Sequence, residues 1–245
     1  METGALVNRL TEWLREQVAA AGAQGAVVGL SGGIDSAVVA GLAKRAFPDA
    51  VLGVIMPCHS LPRDAEHARL VAETFSVPVR HVALDAVYDA LLASLKAAEA
   101  GEPKALALAN IKPRLRMVTL YYLATQHNYL VLGTGNKSEL TVGYFTKYGD
   151  AGVDLLPLGN LVKEEVREVA RYLGVPQEII LKAPSAGLWE GQTDEGEMGF
   201  SYAELDNYIR TGQGPLAVVA RIKEMNRRSE HKRRLPPVPD FSSTD

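Results

Sequence analysis

Apolar residues recur along the chain with two spacings, one typical of helices and the other of buried strands. The first stretch carries five apolar residues at helical spacing: Leu6, Leu10, Trp13, Leu14 and Val18. This spacing predicts an amphipathic helix over residues 4–21. Short apolar runs at 25–30, 51–56, 77–82 and 129–133 are typical of strands that are buried on both faces.

Helices are predicted between and after these strands. Apolar periodicity and flanking turn residues place them at 34–47, 62–75, 85–98, 110–127, 163–173, 201–210 and 216–229. Strands that alternate with helices in this way form a doubly wound parallel sheet with helices on both faces, which is an α/β fold. We expect a single domain over residues 1–245, with a frayed tail from about residue 236. Residues 183–199 show no periodicity, so we expect a mobile, lid-type loop there without an apolar anchor.

A Ser-Gly-Gly turn joins the first predicted strand to the helix that follows it. Backbone amides at a helix N-terminus are unpaired and lie at the positive end of the helix dipole, where they bind anions. Gly32 and Gly33 let the main chain approach an anion closely, and Ser31 and Ser36 add hydroxyl donors. Asp35 places a carboxylate where a phosphate-bound Mg²⁺ needs an oxygen ligand. The turn therefore predicts a phosphate-binding loop with a metal ligand, at the carboxyl edge where doubly wound sheets bind ligands.

The composition of the chain limits the kinds of partner that we expect it to bind. The 245 residues carry a formal net charge of −3, so no overall basic field indicates a nucleic-acid partner. No apolar run reaches the length that spans a bilayer, and we expect no membrane partner. The single cysteine, Cys58, can form no internal disulfide, which favours a reducing compartment, the cytoplasm.

The adjacent Cys58 and His59 raise the possibility of a Cys/His nucleophile. Neighbouring residues at a strand end point to opposite sides, however, so the two side chains are poorly placed to act as nucleophile and base. We therefore interpret Cys58 as a structural thiol. His67 and His81 lack metal-ligand spacing, and we expect both at the surface.

The Ser-Gly-Gly loop matches neither the Walker A pattern nor the dinucleotide fingerprint. Its sequence SGGIDS resembles the pyrophosphate-binding loop of the N-type ATP pyrophosphatases, which split ATP into AMP and pyrophosphate. Five further motifs follow in order: NIKPRLRM at 110–117, GTGNKSE at 133–139, GYFTKYGD at 143–150, DLLPLGNLVK at 154–163 and HKR at 231–233. With these motifs the chain resembles the NAD synthetases over roughly residues 25–235.

This resemblance implies an adenine-nucleotide α-hydrolase-like fold and an ammonia-dependent synthetase. The enzymes it resembles amidate deamido-NAD with ammonia and ATP, releasing AMP and pyrophosphate through an acyl-adenylate. By the same resemblance, Asp35 and Glu139 would hold Mg²⁺. The implied ATP contacts are Gly29, Leu30, Ser31, Gly32, Gly33, Ile34, Asp35, Ser36, Thr134, Lys163 and Ser185. Ser185 stands where many relatives carry threonine, and it keeps the hydroxyl group.

Two of the implied site residues have a second interpretation. Lys163 opens a predicted helix, where a lysine opposes the helix dipole; a bound phosphate would offset that cost, whereas the alternative is an exposed lysine. Asp150 could orient ammonia or accept its proton, and the alternative is a loop aspartate that bonds its own backbone. The implied deamido-NAD contacts are Arg114, Lys147, Asp154, His231 and Lys232. Cationic groups of this kind suit a dinucleotide with a pyrophosphate and a carboxylate.

The predicted helix is apolar on nearly all sides over 115–123, so we expect it to be buried against a second copy of the chain in a homodimer. Two other functions stay open at this point: another adenylating enzyme, such as a GMP synthetase ATPase subunit or a tRNA thiolase, and a non-catalytic nucleotide-binding module. The presence of Asp35, Glu139 and Lys163 opposes the module. No glutaminase-like region precedes the loop in these residues, so ammonia is the expected nitrogen donor.

Overall fold

Four parallel strands form the centre of the computed structural model, which describes residues 1–99, 101–185, 187, 189 and 191–240. The strands are β1 (Gly25–Gly29), β2 (Val51–Ile55), β3 (Val79–His81) and β4 (Tyr129–Leu132). Their spatial order is β3-β2-β1-β4, and every pair is parallel. The chain thus moves outward from β1 to β3 and then returns to the other side of β1. This reversal creates a topological switch point at the carboxyl ends of β1 and β4.

Eight helices lie where the apolar spacing predicts them, with ends shifted by at most one residue. They are α1 (Thr3–Ala20), α2 (Ile34–Ala46), α3 (Pro62–Phe75), α4 (Asp85–Ala98), α6 (Ile111–His127), α8 (Lys163–Leu173), α11 (Tyr202–Thr211) and α12 (Leu216–Arg228). Five short helices were not predicted: α5 (Ala105–Ala109), α7 (Lys137–Val142), α9 (Gln177–Ile180), α10 (Asp194–Met198) and α13 (Glu230–Arg233). Each has only four to six residues, too few for a periodic signal.

Helices cover both faces of the sheet, as the doubly wound interpretation requires. Ala26 and Val28 of β1 face a cluster built with α1, α2, α3 and α8. Val27, between them, faces a second cluster built with α4 and α6. Because successive strand residues point to opposite faces, an apolar residue at every position of β1 fits burial on both sides. The predicted α/β fold class is confirmed.

A third apolar cluster lies beyond the carboxyl end of β4, where α7, α10, α11 and α12 pack together. Its buried members are Val142, Met198, Phe200, Tyr202, Leu205 and Ile222. The expectation that 183–199 lacks an apolar anchor is therefore wrong, since Met198 is fully buried at the end of α10. Within the expected lid, Ala186, Leu188 and Glu190 lie outside the described residues, as do residues 241–245 of the expected frayed tail.

Two histidines were expected at the surface, and the structure agrees with only one of these predictions. His81 is exposed, as expected, but the expectation for His67 is wrong, since only 5% of its surface is accessible. His67 is buried because α3 packs against the Ser-Gly-Gly loop, a tertiary contact that histidine spacing cannot show. No described helix is both long and apolar enough to cross a membrane.

Candidate active site

The Ser-Gly-Gly loop is held in shape by its own two hydroxyl groups. The Ser36 hydroxyl donates to Gly33 O at 2.9 Å and lies 3.0 Å from Ser31 Oγ. Gly33 N donates to Ser31 Oγ at 3.2 Å. Gly33 is the N-cap of α2 and, within the described chain, no side chain caps this helix end. The amides of the first turn are therefore directed toward the carboxyl edge of the sheet, where an anion can accept from them.

Gly32 cannot be replaced by a residue with a side chain without moving α3. Its φ of +72° is a left-handed conformation, and a Cβ atom there would lie 2.4 Å from Asp64 O and 2.8 Å from His67 Cβ. Lys182, which the sequence pattern did not identify, closes the same side of the loop. Its ammonium group donates to Asp64 Oδ1 at 2.7 Å and to Gly32 O at 3.3 Å. The loop is thus packed between α3 and the ammonium group of Lys182, which follows α9.

Lys163 lies at the centre of a buried charge cluster. Its ammonium nitrogen is 2.5 Å from Asp35 Oδ2 and 3.6 Å from Glu139 Oε1, and only 2% of its side chain is accessible. Burial alone would disfavour the ammonium form, but the Asp35 and Glu139 carboxylates outweigh it and raise the pKa of Lys163. The alternative interpretation of Lys163 as an exposed lysine is wrong. The structure brings together three residues that the sequence pattern proposed separately.

Asn136 positions both carboxylates, and the sequence analysis missed it. Its Nδ2 donates to Asp35 Oδ1 at 2.9 Å, while its Oδ1 accepts from Glu139 N at 3.0 Å. Glu139 Oε2 accepts in return from Asn136 N, which completes a capping box at the start of α7. Asn followed three residues later by Glu is a sequence signature of this box and could have identified Asn136. Burial, and then the neighbouring Asp35 carboxylate, raise the pKa of Glu139 to about 8.

A second buried network fixes the helix end that carries Lys163. Ser138 Oγ donates to Asp206 Oδ1 at 2.6 Å and accepts from Lys163 N at 3.1 Å. Glu164 N donates to Asp206 Oδ2 at 2.9 Å. Asp206 of α11 therefore places negative charge at the N-terminus of α8, which offsets the unfavourable position of a lysine there.

The donor set suits a phosphate-bound Mg²⁺. Asp35 and Glu139 offer carboxylate oxygens, and Mg²⁺ is usually held by one or two carboxylates together with phosphate oxygens and waters. Asp194 adds a buried carboxylate close by, because the Tyr202 hydroxyl lies 2.9 Å from Asp194 Oδ2 and 3.4 Å from Glu139 Oε1. In the described part of the chain, no three His, Cys, Asp or Glu side chains form a ready metal site by themselves. The residues present thus fit an ion that arrives with the nucleotide.

Four of the five residues implied for deamido-NAD lie together at one side of this edge. Arg114 Nη2 donates to Lys147 O at 3.3 Å, and Lys147 Nζ donates to His231 O at 2.7 Å. Lys232 Nζ donates to Phe145 O at 2.8 Å. Helix α6, the 143–150 segment and α13 therefore converge into one basic surface.

Asp154, the fifth residue, is placed differently. One carboxylate oxygen accepts from the Tyr121 hydroxyl at 2.9 Å, and the other accepts from Val131 N at 2.8 Å. Both oxygens are thus used to join α6 to β4. Burial, followed by the hydrogen bond to Asp154, raises the pKa of Tyr121.

Asp150 shows features of both of its interpretations. Its Oδ1 accepts from Thr146 N at 2.9 Å, which is the backbone bond that a loop aspartate makes. Although the residue as a whole is exposed, the surrounding protein desolvates its carboxyl group and raises its pKa, against the opposing effects of the Thr146 hydrogen bond, Lys232 and Arg116. A carboxyl group with a raised pKa is typical of proton-transfer sites.

Four further residues singled out by the sequence analysis are Ser185, Thr134, Cys58 and His59. Ser185 is exposed, and its Oγ accepts from Gly187 N at 3.1 Å. Thr134 is half-buried just after β4. Cys58 is fully buried, and burial raises the pKa of its thiol, while His59 Nε2 lies 2.8 Å from Asp89 Oδ1. Cys58 and His59 thus contact different groups, Leu84 O and Asp89, which agrees with the interpretation of Cys58 as a structural thiol.

Comparison with known proteins identifies the family. A family model described as NAD synthase matches residues 6–236, which contain the loop, the Lys163 cluster and the basic surface. The chain belongs to the NAD synthase family. An NH(3)-dependent NAD(+) synthetase from Carboxydothermus hydrogenoformans is 61% identical over 95% of this chain and 96% of its own length. The family resemblance inferred from the motifs is confirmed.

Two solved structures extend the comparison with NAD synthases. One, described as NMN synthetase from Francisella tularensis, is 39% identical with a TM-score of 0.94 and covers 98% of this chain and 100% of its own. The other is an NH3-dependent NAD synthetase from Campylobacter jejuni, 28% identical with a TM-score of 0.81, covering 98% of this chain and 100% of its own.

Proposed function

We propose that this protein amidates deamido-NAD with ammonia at the expense of ATP, yielding NAD, AMP and pyrophosphate. Family membership supports this reaction. The observation that carries it is the meeting of Asp35, Glu139 and Lys163 beside the Ser-Gly-Gly loop, at the switch point of the sheet. A non-catalytic nucleotide-binding module would have no need of a buried cationic and acidic cluster at this position.

In the first half-reaction the nicotinate carboxylate attacks the α-phosphorus of ATP. A carboxylate oxygen–phosphorus bond forms, the bond to the pyrophosphate oxygen breaks, and the leaving pyrophosphate takes the electron pair. The first-turn amides of α2, the hydroxyls of Ser31 and Ser36, and Lys163 would stabilise that charge. Asp35 and Glu139 would hold Mg²⁺, which supplies further positive charge to the phosphate oxygens.

In the second half-reaction ammonia attacks the acyl carbon of the adenylate. The carbon–nitrogen bond forms, the bond to the AMP oxygen breaks, and the nitrogen loses a proton. We assign acceptance of that proton to Asp150, because a raised pKa brings a carboxylate closer to the basicity that this step needs. No covalent protein intermediate is required, so positioning and charge stabilisation account for the catalysis.

The test is a stoichiometry measurement on the purified chain. With ATP, Mg²⁺, ammonium and deamido-NAD, we expect AMP and NAD in equal amounts and neither when deamido-NAD is omitted. Glutamine in place of ammonium should give no NAD. AMP without NAD would contradict the proposed acceptor, and the absence of both from a folded chain would contradict the activity itself.

Amidation of nicotinate mononucleotide is a second candidate function. The observation that favours it is the TM-score of 0.94 to the NMN synthetase structure, compared with 0.81 to the Campylobacter jejuni NAD synthetase. The two acceptors share the nicotinate end, where the chemistry occurs, and differ in the adenylate half. The ratio of kcat/KM for deamido-NAD to that for the mononucleotide decides between them.

We also propose that two copies form a homodimer through α6. Val118 and Tyr122 lie one helical turn apart, and 60% and 63% of their surfaces are exposed. On the neighbouring α4, Val87, Leu91 and Leu95 are also exposed. A group of exposed apolar side chains on two adjacent helices is typical of an interface between subunits.

A further inference from the structure

Arg116 is a mostly buried cation on α6 that forms no ion pair with any acidic residue in the described part of the chain. Its Nε donates to Met56 O at 3.1 Å, and its Nη2 donates to Ser60 Oγ at 3.1 Å. No carboxylate of the described residues lies within 4.0 Å of the guanidinium group. Burial lowers the pKa of Arg116, and electrostatic interactions with Cys58, Asp150 and Asp64 only partly oppose this effect.

A buried charge without a counter-charge is unfavourable, and buried charges in proteins are normally paired. Among the described residues, neutral acceptors satisfy two of the five N–H groups of the guanidinium. The hydrogen bonds to Met56 and Ser60 hold its orientation, so its position is determined before any ligand binds. A fixed, desolvated and uncompensated cation is suited to receive an anion.

The location of Arg116 indicates which anion it is suited to bind. Met56 follows β2 directly, so the guanidinium lies at the same carboxyl edge as the Ser-Gly-Gly loop. Its charge acts on Asp64, whose carbonyl contacts Gly32 of that loop, and on Asp150 of the 143–150 segment. Arg116 therefore lies at the edge that also carries the groups proposed to hold the ATP phosphates, and it interacts electrostatically with the group proposed to assist ammonia. The reacting carboxylate must occupy this space, since it first attacks phosphorus and then receives nitrogen.

We propose that Arg116 binds the nicotinate carboxylate of the substrate and distinguishes the acid substrate from the amide product. A planar guanidinium matches a carboxylate with two parallel hydrogen bonds, whereas a neutral amide forms no ion pair with it. Amidation would remove the charge that Arg116 binds and thereby favour release of the product. The inference rests on the proposed function but holds for either the dinucleotide or the mononucleotide acceptor, because both carry the same carboxylate.

The test compares an acid with its own amide. Dissociation constants of deamido-NAD and NAD are measured by calorimetry on the wild-type chain and on Arg116→Gln. We expect the variant to bind deamido-NAD roughly 10- to 100-fold more weakly, the range of a charge-assisted hydrogen bond, and to bind NAD as the wild type does. Nicotinate and nicotinamide mononucleotides, compared in the same way, should show the same selective loss.

Two further variants make the result decisive. Ser60→Ala removes a hydrogen bond of Arg116 without removing its charge, and it should leave the acid-to-amide ratio within about twofold of wild type. Arg116→Lys keeps the charge and should recover part of the preference; if Arg116→Gln does not fold, the Lys variant is compared directly with wild type.

Equal weakening of acid and amide would overturn the proposal and make Arg116 a structural link to the segment after β2. Weakening confined to a non-hydrolysable ATP analogue would overturn it too, since the anion would then be a phosphate. Failure of the proposed function looks different: the wild-type chain would form neither NAD nor the amidated mononucleotide from the corresponding acids.

Discussion

The ammonium group of Lys163 lies 2.5 Å from the Asp35 carboxylate, although 128 residues separate the two along the chain. One residue comes from the start of α2 and the other from the start of α8, so two helix N-termini meet at the switch point of the sheet. The lysine proposed to bind phosphate is therefore paired with the carboxylate proposed to bind Mg²⁺. Any ion held by Asp35 must share that carboxylate with Lys163, which links cation binding to the position of the lysine.

Asp35→Asn should abolish AMP formation, because a neutral amide is a poorer Mg²⁺ ligand. It should also reduce the free energy of unfolding, since removing one partner of a buried ion pair typically costs about 3–5 kcal/mol. Glu139, 3.6 Å from Lys163 Nζ, remains as a second partner, so we expect a value at the lower end. Urea unfolding and chromatography of AMP provide the two measurements.

A double-mutant cycle with Lys163→Met is the control for that result. If the two residues stabilise one another, the double variant should lose less than the sum of the single losses. Near-normal turnover in Asp35→Asn would show that the carboxylate is structural.

Cys58→Ser should keep ammonia-dependent activity. The thiol is fully buried and its sulfur lies 4.0 Å from Leu84 O. A buried hydroxyl without a well-placed partner costs about 1–3 kcal/mol of stability, so thermal unfolding should shift while kcat does not. Glutamine-supported NAD formation that is present in wild type and lost in the variant would contradict this prediction.

Tyr122→Asp should convert the proposed homodimer into a monomer. Placing a charge in the centre of an apolar interface weakens association by about 2 kcal/mol or more, which sedimentation velocity at micromolar concentration detects. Tyr172→Asp is the matched control, because Tyr172 is 50% exposed on α8, a different helix from α6. A fully active monomer of the wild-type chain would rule out the interface.

Asp150→Asn should lower amidation activity but raise thermal stability relative to wild type as pH rises. The pKa of Asp150 is raised in the folded chain from its ordinary value of 3.8, mainly by desolvation. The folded state therefore holds this proton to higher pH than the unfolded state, and the stabilisation is lost as pH rises through the folded pKa. Asparagine does not ionise. The melting temperature of the variant, relative to that of wild type, should therefore rise as pH rises from the unfolded to the folded pKa of Asp150. Its amidation activity should be lower than that of wild type.

Asp85→Asn provides a control of opposite sign. The hydrogen bond from His59 N lowers the pKa of Asp85, so its ionised form stabilises the folded state and this contribution is lost as pH falls. The Asp85 variant should therefore lose melting temperature relative to wild type as pH rises from acid to neutral. A constant difference between Asp150→Asn and wild type across pH would contradict the raised pKa of Asp150.

Local patterns were enough to predict the strands, the long helices and the phosphate-binding loop. Apolar spacing, glycines and helix-start residues act within a few positions of the chain, so they can be read before the chain is folded. The resemblance of the motifs around Asp35, Glu139 and Lys163 to those of NAD synthetases implied one nucleotide site, and the doubly wound pattern placed the Ser-Gly-Gly loop at the carboxyl edge of the sheet. The short helices, by contrast, have too few residues to carry a periodic signal. They form where tertiary packing supports them, as α10 does through the buried Met198.

Tertiary structure alone decided which charges are paired. The contact between Lys163 and Asp35, the burial of His67 against Gly32 and the absence of an acidic partner for Arg116 among the described residues all depend on elements far apart in the sequence. The energetic importance of a charge depends on its desolvation and on its neighbours, and both are properties of the folded chain. The residue types for this chemistry can be found along the chain, but their protonation and pairing arise only when the sheet brings them to one edge.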